Sequence, residues 1–253
     1  MSPPIHLEGK VAIVTGASRG IGEAIARAFV AAGAQVVVSA RKAEGLAAVA
    51  QALGEDRCHA VPSHAGREDA CAALVAAAVE RFGKVDVLVN NAATNLHFGP
   101  LLEVDNGAWD KTFETNVKGY FWMAREVAKH LRSRDAAGSI VQVASIMGLE
   151  AAPMQGMYGM TKAAILSMTK TLAVELAPSR IRVNAIAPGL VDTRFASSLL
   201  ENDTFLQHVL QKTPLRRYGV PDEIAGGALY LASDSAAFLT GHTLVIDGGW
   251  TIA

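Results

Sequence analysis

The sequence predicts an α/β fold: a single-domain, doubly wound parallel sheet of seven strands with helices on both faces. Three observations predict it. Short β-branched runs alternate along the chain with longer stretches rich in Ala, Leu, Met and Glu, the runs are apolar on nearly every residue, and a glycine-rich turn separates the first run from the first helical stretch. Continuous apolarity marks strands covered on both sides, as parallel sheets are. Right-handed crossovers then put ligands beyond the carboxyl ends of the strands.

The first strand runs from Val11 to Thr15 and leads through the glycine turn into a helix from Ile21 to Ala32. Val36 to Val38 is the second strand, Glu44 to Leu53 its helix, roughly Ala60 to Pro62 the third strand and Glu68 to Phe82 the third helix. Val85 to Val89 forms the fourth strand, followed by one long helical stretch from Asn106 to Arg134. Ser139 to Ala144 is the fifth strand, ahead of a helix from Gln155 to Glu175; Ile181 to Ile186 is the sixth. A helix from Pro221 to Ala232 precedes the last strand, Thr243 to Ile246. Length and strong helix formers support each helix.

Composition excludes several function classes. With 23 Lys and Arg against 24 Asp and Glu, the 253-residue chain carries a formal charge of −1, which offers no general attraction for nucleic acid or an anionic membrane. Half of it is hydrophobic (51%), enough for a large core and incompatible with a disordered chain. The longest small-apolar stretch, Ala70 to Val79, is about half of the ~20 residues that cross a bilayer, so no span is expected. The N-terminus has no apolar signal region and the C-terminus no lipidation or retention signal, so a cytoplasmic protein is expected. Cys58 and Cys71 form no CxxC pair, and Cys58-His59 with His64 lacks metal-site spacing, so neither a disulfide scaffold nor a metal is expected. No linker interrupts residues 1–253, read as one domain with a cofactor half at about 7–135 and a catalytic and substrate half at about 136–253.

The turn Thr15-Gly16-Ala17-Ser18-Arg19-Gly20-Ile21-Gly22 joins a buried strand to a helix. Glycines there let the backbone turn tightly and approach a ligand, while the helix N-terminus favours a pyrophosphate. Gly16, Ser18, Arg19, Gly20, Ile21 and Gly22 are therefore candidate cofactor residues. The same letters spell a GxSxG nucleophile elbow centred on Ser18, with Asp192 and His208, or Asp234 and His242, as partners in order. Only about ten residues precede the first strand, which leaves no obvious loop for an oxyanion hole. Where dinucleotide folds place an acid for a ribose 2′-hydroxyl, this chain reads Ser39-Ala40-Arg41-Lys42, with no acid before Glu44. Arg41 with Arg19 makes a two-sided clamp for a 2′-phosphate, favouring NADP(H) over NAD(H).

Tyr158-Gly-Met-Thr-Lys162 places a phenol and an ammonium one helical turn apart. A cation there favours tyrosinate and pulls the phenol pKa down toward working pH, which makes an acid/base candidate. Ser145, at the end of the fifth strand, brings a hydroxyl to the same edge. A Tyr-x-x-x-Lys alone is common by chance; its weight comes from company with the glycine loop.

Together these motifs resemble the short-chain dehydrogenase/reductase family over essentially Leu7 to Gly249, and the resemblance implies the Rossmann arrangement. The family's TGxxxGxG is Thr15 to Gly22, its NNAG is approximated by Asn90-Asn91-Ala92-Ala93, and its asparagine, serine and YxxxK match Asn116, Ser145, Tyr158 and Lys162. Its PG loop matches Pro188-Gly189. The resemblance implies that Tyr158 moves the proton on the substrate oxygen and that Ser145 orients that oxygen. Lys162 would hold the nicotinamide ribose and depress the tyrosine pKa, and Asn116 would anchor a proton-relay water. It also implies cofactor contacts from Asn91 and Ala92, from the backbone near Pro188, Gly189 and Val191, from Thr193, and from His64 and Ala65, where His64 stands in for the usual acid or amide. The chain is similar to NADPH-dependent carbonyl and retinal reductases and to ketoacyl reductases. The enoyl reductases of the family space Tyr and Lys further apart, so the resemblance implies, from the three-residue gap between Tyr158 and Lys162, that C=C reduction is not the reaction.

If Leu96, Phe98, Met147, Leu149, Met154, Met157, Leu190, Phe195 and Leu199 line one cleft, the substrate is a carbonyl or alcohol with a largely apolar body. The resemblance further implies a homotetramer built on the two long helices, the last strand and Trp250. A cofactor-binding sensor without turnover is the competing class; it has no need of a phenol beside an ammonium.

Overall fold

The computed structural model describes residues 5–200 and 203–253; the side chain of Leu199 lies outside what is described. Seven parallel strands form one sheet in the order β3-β2-β1-β4-β5-β6-β7. They are β1 (Val11–Thr15), β2 (Gln35–Ala40), β3 (Cys58–Pro62), β4 (Val87–Asn90), β5 (Gly138–Val143), β6 (Ile181–Pro188) and β7 (Thr243–Ile246). The chain runs outward from β1 to β3, then returns to place β4 on the other side of β1. That reversal opens a crevice between the carboxyl ends of β1 and β4, where Thr15 pairs Ser39 on one side and Val14 pairs Val89 on the other.

Helices α1 (Gly20–Ala31), α2 (Ala43–Leu53) and α3 (Glu68–Phe82) follow the first three strands as expected. Strand residues then alternate between two cores. Ala12 and Val14 face Ile25 and Phe29 of α1, with Leu46 of α2 in the same cluster, whereas Ile13 packs on the opposite side with Leu74 of α3. Each such buried Val, Leu, Ile or Phe contributes about 1.5–3 kcal/mol relative to exposure. Coverage on both faces explains why these strands read as unbroken apolar runs.

The stretch from Asn106 to Arg134 departs from expectation, because it is not one regular helix. It consists of α4 (Asn106–Phe113), a π-helical turn at Glu114–Lys118, and α5 (Gly119–Ser133). Asp105 caps α4 by accepting from the Ala108 N–H at 2.9 Å. The π turn carries Asn116 into the interior and lets Gly119 pass so close to the Ala65 carbonyl that no Cβ fits there. Hydrophobic periodicity does not register such an insertion, and π turns concentrate at functional positions. β4 begins two residues later than read, since the Val85 N–H is held by His130 Nε2 (3.1 Å). Helix α6 (Gly156–Leu176) agrees with expectation to one residue at each end, and α9 (Pro221–Ala232) at both ends. The short helices α7 (Ser197–Leu200) and α8 (Asp203–Lys212) were not foreseen.

Candidate active site

The glycine turn sits at the mouth of the crevice. Gly16 adopts φ +66°, a left-handed conformation that side chains resist, and a Cβ on it would stand 2.8 Å from Ala92 Cα. Gly22 is excluded from substitution by packing instead: its Cβ would lie 2.5 Å from both Asn91 Nδ2 and the Gly16 carbonyl. Asn91 binds the turn directly, donating from Nδ2 to the carbonyls of Thr15 (2.9 Å) and Gly16 (3.1 Å). Thr15 Oγ1 accepts from the amides of Asn91 (3.0 Å) and Ala92 (3.1 Å). The Ala17 amide is fixed to the Ser39 carbonyl at 3.0 Å, which brings the turn beside the end of β2.

These features fit a dinucleotide. No side chain caps the N-terminus of α1, so its first amides remain free for an anion. Arg19 and Arg41 are exposed, and among the described residues neither forms an ion pair or hydrogen bond. His64 follows β3 with Nδ1 accepting from the Gly66 amide (3.1 Å), and Ala65 faces Gly119. Thr193 comes from the far half of the chain, its methyl 3.3 Å from where a Gly20 Cβ would stand. Pro188 ends β6, Gly189 donates its amide to the Ile246 carbonyl (2.9 Å), and Val191 is buried in a bridge with Gly219. The structure thus brings the predicted cofactor positions to one sheet edge.

The acid/base candidates gather behind that edge. Lys162 is 1% exposed, and its Nζ donates to the Val143 carbonyl at 2.8 Å. That nitrogen stands 5.4 Å from the Tyr158 ring centroid. Ser145 follows β5 and caps a short 3₁₀ turn, its Oγ accepting from the Met147 amide at 3.2 Å. Asn116 is fully buried: Nδ2 donates to the Thr94 carbonyl (2.9 Å) and to Thr161 Oγ1 (3.1 Å), while Oδ1 accepts from the Thr94 amide (2.8 Å). Thr161 in turn donates to the Tyr158 carbonyl at 2.7 Å, so Asn116 braces both the loop after β4 and the start of α6.

The expected direction of the tyrosine pKa is corrected. Burial raises the Tyr158 phenol well above its usual range, with the Ser145 hydroxyl pulling partly back, and burial lowers Lys162 from its ordinary 10.5 to about 7. Desolvation penalises each charged form, and it is the leading cause of both shifts. Tyr120 was not singled out from the sequence, yet its hydroxyl also reaches the Val143 carbonyl (3.0 Å). A tyrosine four residues after Asn116, in the stretch read as one long helix, was the available signal.

The apolar residues expected at the cleft divide. Met157 is core, 1% exposed, whereas Phe195 is largely exposed with its ring centroid 5.9 Å from that of Tyr158. Leu96, Phe98, Leu149 and Met154 are exposed as well. Trp250 is turned within its own chain, its indole N–H donating to Glu150 Oε2 at 3.1 Å. The serine-hydrolase alternative is not assembled: Ser18 makes no hydrogen bond to a histidine among the described residues, and His208 lies against Trp250. His242 precedes β7 at the amino edge of the sheet, opposite the carboxyl edge that carries Ser18. Among the described residues no cluster of metal-ligating side chains occurs, and no helix is long and apolar enough to cross a membrane.

A family model described as enoyl-(acyl carrier protein) reductase matches residues 16–251. Dehydrogenase/reductase SDR family member 4 of Oryctolagus cuniculus is 40% identical over 245 residues, covering 96% of this chain and 94% of the relative. A putative short-chain alcohol dehydrogenase from Sinorhizobium meliloti superposes with a TM-score of 0.95 at 39% identity, covering 99% of this chain and 100% of the other. A gluconate 5-dehydrogenase from Burkholderia cenocepacia, solved in complex with NADP and tartrate, gives 0.94 at 31% identity over 98% of each chain. Fold, site and relatives define an NAD(P)-dependent oxidoreductase. The chain belongs to the short-chain dehydrogenase/reductase family.

Proposed function

We propose that the protein uses NADP(H) to interconvert a carbonyl and a secondary alcohol on a small, largely apolar substrate, with Tyr158 as general acid/base. One observation carries this reading: a buried ammonium, Lys162 Nζ, stands 5.4 Å from the Tyr158 ring at the sheet edge where the glycine turn opens. Arg19 and Arg41, both without a partner among the described residues, support a 2′-phosphate, and the gluconate dehydrogenase that resembles this chain was solved with NADP. When bound, the nicotinamide supplies or accepts the hydride at the reacting carbon.

The chain's own residues manage the proton. Burial keeps the Tyr158 phenol protonated at neutral pH, so it is poised to give its Oη hydrogen to the carbonyl oxygen in reduction and to recover it in oxidation. Ser145 Oγ orients that oxygen. Lys162, anchored on Val143, would hold the ribose and supply positive charge beside the phenolate as it forms. Asn116 anchors the relay that returns a proton to Tyr158. Exposed Phe195, its ring 5.9 Å from that of Tyr158, would lie against a hydrocarbon body bound at the proton site. The family model's description names reduction of an enoyl thioester, and the three-residue gap between Tyr158 and Lys162 favours C–O chemistry instead. Outer faces of α5 and α6, with exposed Phe121 and Met160, would pair subunits of a cytoplasmic homotetramer.

The test is NADPH and NADH oxidation at 340 nm over a panel of ketones, aldehydes and one enoyl thioester. Carbonyl turnover preferring NADPH, abolished in Tyr158→Phe with NADPH binding intact, supports the reading. Turnover of the enoyl thioester alone replaces it, and NADPH binding without turnover of anything restores the sensor.

A further inference from the structure

A second phenol stands at the proton site. Tyr120, near the start of α5, is 1% exposed and donates its hydroxyl hydrogen to the Val143 carbonyl at 3.0 Å. Lys162 Nζ donates to the same carbonyl at 2.8 Å and lies 3.5 Å from Tyr120 Oη. The nitrogen stands 5.3 Å from the Tyr120 ring centroid and 5.4 Å from that of Tyr158, one ring on α5 and the other on its own helix. Because the Tyr120 hydrogen is committed to Val143, only its oxygen lone pairs face the nitrogen. A buried acceptor of that kind favours the ammonium over the amine, and the two ring faces add to the preference.

We propose that Tyr120 is a positioning residue, which holds Lys162 Nζ on the Val143 carbonyl at the level of the Tyr158 ring and keeps it charged. The inference rests on the reading of Tyr158 and Lys162 as the proton site. Among the described residues no carboxylate faces Lys162. The titratable groups about it are Tyr120 from α5 and Tyr158 from α6, and β5 offers only a backbone oxygen. Burial draws the ammonium down to about 7, so a modest change in its acceptors alters the charged fraction at neutral pH. Phenylalanine at 120 keeps the ring and removes the hydroxyl, which is both the acceptor facing Lys162 and a donor to Val143, whose carbonyl keeps its bond from Lys162.

The experiment compares Tyr120→Phe with the parent in two readouts: the pH profile of kcat/KM for NADPH-dependent carbonyl reduction, and the ¹³C NMR titration of the Lys162 side chain in the cofactor-free protein. The Lys162 midpoint falls by about half a unit or more on loss of the acceptor, and the alkaline limb of kcat/KM moves down with it. If Tyr120→Phe does not fold, 3-fluorotyrosine at 120, a poorer acceptor of nearly the same shape, is titrated in its place and lowers the midpoint likewise. Coincident Lys162 titrations in parent and variant overturn the proposal. A shifted midpoint in a protein that turns over no carbonyl leaves the proposal standing and removes the proposed reaction instead.

Discussion

Asn91 and Gly16 meet across the crevice between β1 and β4, the Asn91 amide donating to the Gly16 carbonyl at 3.1 Å and to Thr15 beside it at 2.9 Å. The asparagine is thus a brace for the turn proposed to face the cofactor. Replacing it by alanine leaves two carbonyls to find other donors, at about 1 kcal/mol for each lost bond. Asn91→Ala is expected to unfold several degrees lower and to bind NADPH at least tenfold more weakly, by thermal melts and fluorescence titration. Unchanged NADPH affinity with a lowered Tm would show that the brace serves stability alone.

Cofactor choice is expected to follow Arg41. It emerges at the end of β2, beside the turn that the Ser39 carbonyl holds through Ala17. Arg41→Asp would replace the proposed 2′-phosphate partner by an acceptor for a 2′-hydroxyl and repel a phosphate. The ratio of kcat/KM for NADPH over NADH should fall by about two orders of magnitude, or roughly 2.7 kcal/mol. An unaltered ratio would remove the clamp and leave Arg41 a solvated charge.

Lys162 also leaves a mark on stability. Its folded pKa is depressed from 10.5 to about 7, so between these values the unfolded chain holds more protons than the folded one. Stability therefore rises with pH through that window, as the cost of a buried charge is relieved. Tyr158 and Tyr120 are shifted upward by burial, so above about pH 10 the unfolded chain loses phenolic protons that the folded chain keeps, and stability falls again. Cofactor-free Lys162→Met should show a smaller gain in Tm between pH 7 and pH 10 than the parent. Parallel curves would mean that Lys162 enters the folded state without a proton deficit.

How much was legible follows from what periodicity and spacing can carry. β1 and the glycine turn were readable because a strand buried on both faces and a turn needing positive φ each leave a local signature, as Gly16 confirms. Tyr158 and Lys162 share one turn of one helix, so their juxtaposition is also local. The π turn at Asn116 was hidden, since it goes with the approach of Gly119 to Ala65, more than fifty residues earlier in the chain. The direction of the Tyr158 pKa was misread for a related reason: spacing reports a neighbour's charge, while the depth of burial that raises the phenol depends on α5 and β5 closing around the pair. Tyr120 belongs to that same non-local information.

Glu150 provides the last test, because two separated parts of the chain converge on it. Its Oε2 accepts from Lys212 Nζ on α8 and from Trp250 Nε1 near the C-terminus, each at 3.1 Å, and Lys212 Nζ lies 4.2 Å from the Trp250 ring centroid. The pair is about a third exposed, and such contacts contribute ~0–1 kcal/mol to global stability. Their leverage is local: α8 follows the segment carrying Phe195, whose ring lies 5.9 Å from that of Tyr158. Releasing α8 should loosen the apolar cover over the substrate without touching Tyr158 or Lys162. Glu150→Ala is expected to raise KM for the carbonyl substrate by about three- to tenfold, with kcat within about twofold and Tm nearly unchanged. Trp250→Phe, which keeps a ring beneath Lys212 and loses only the N–H, should show a smaller rise in KM. A fall in kcat at constant KM would place the defect in the proton site and exclude the latch.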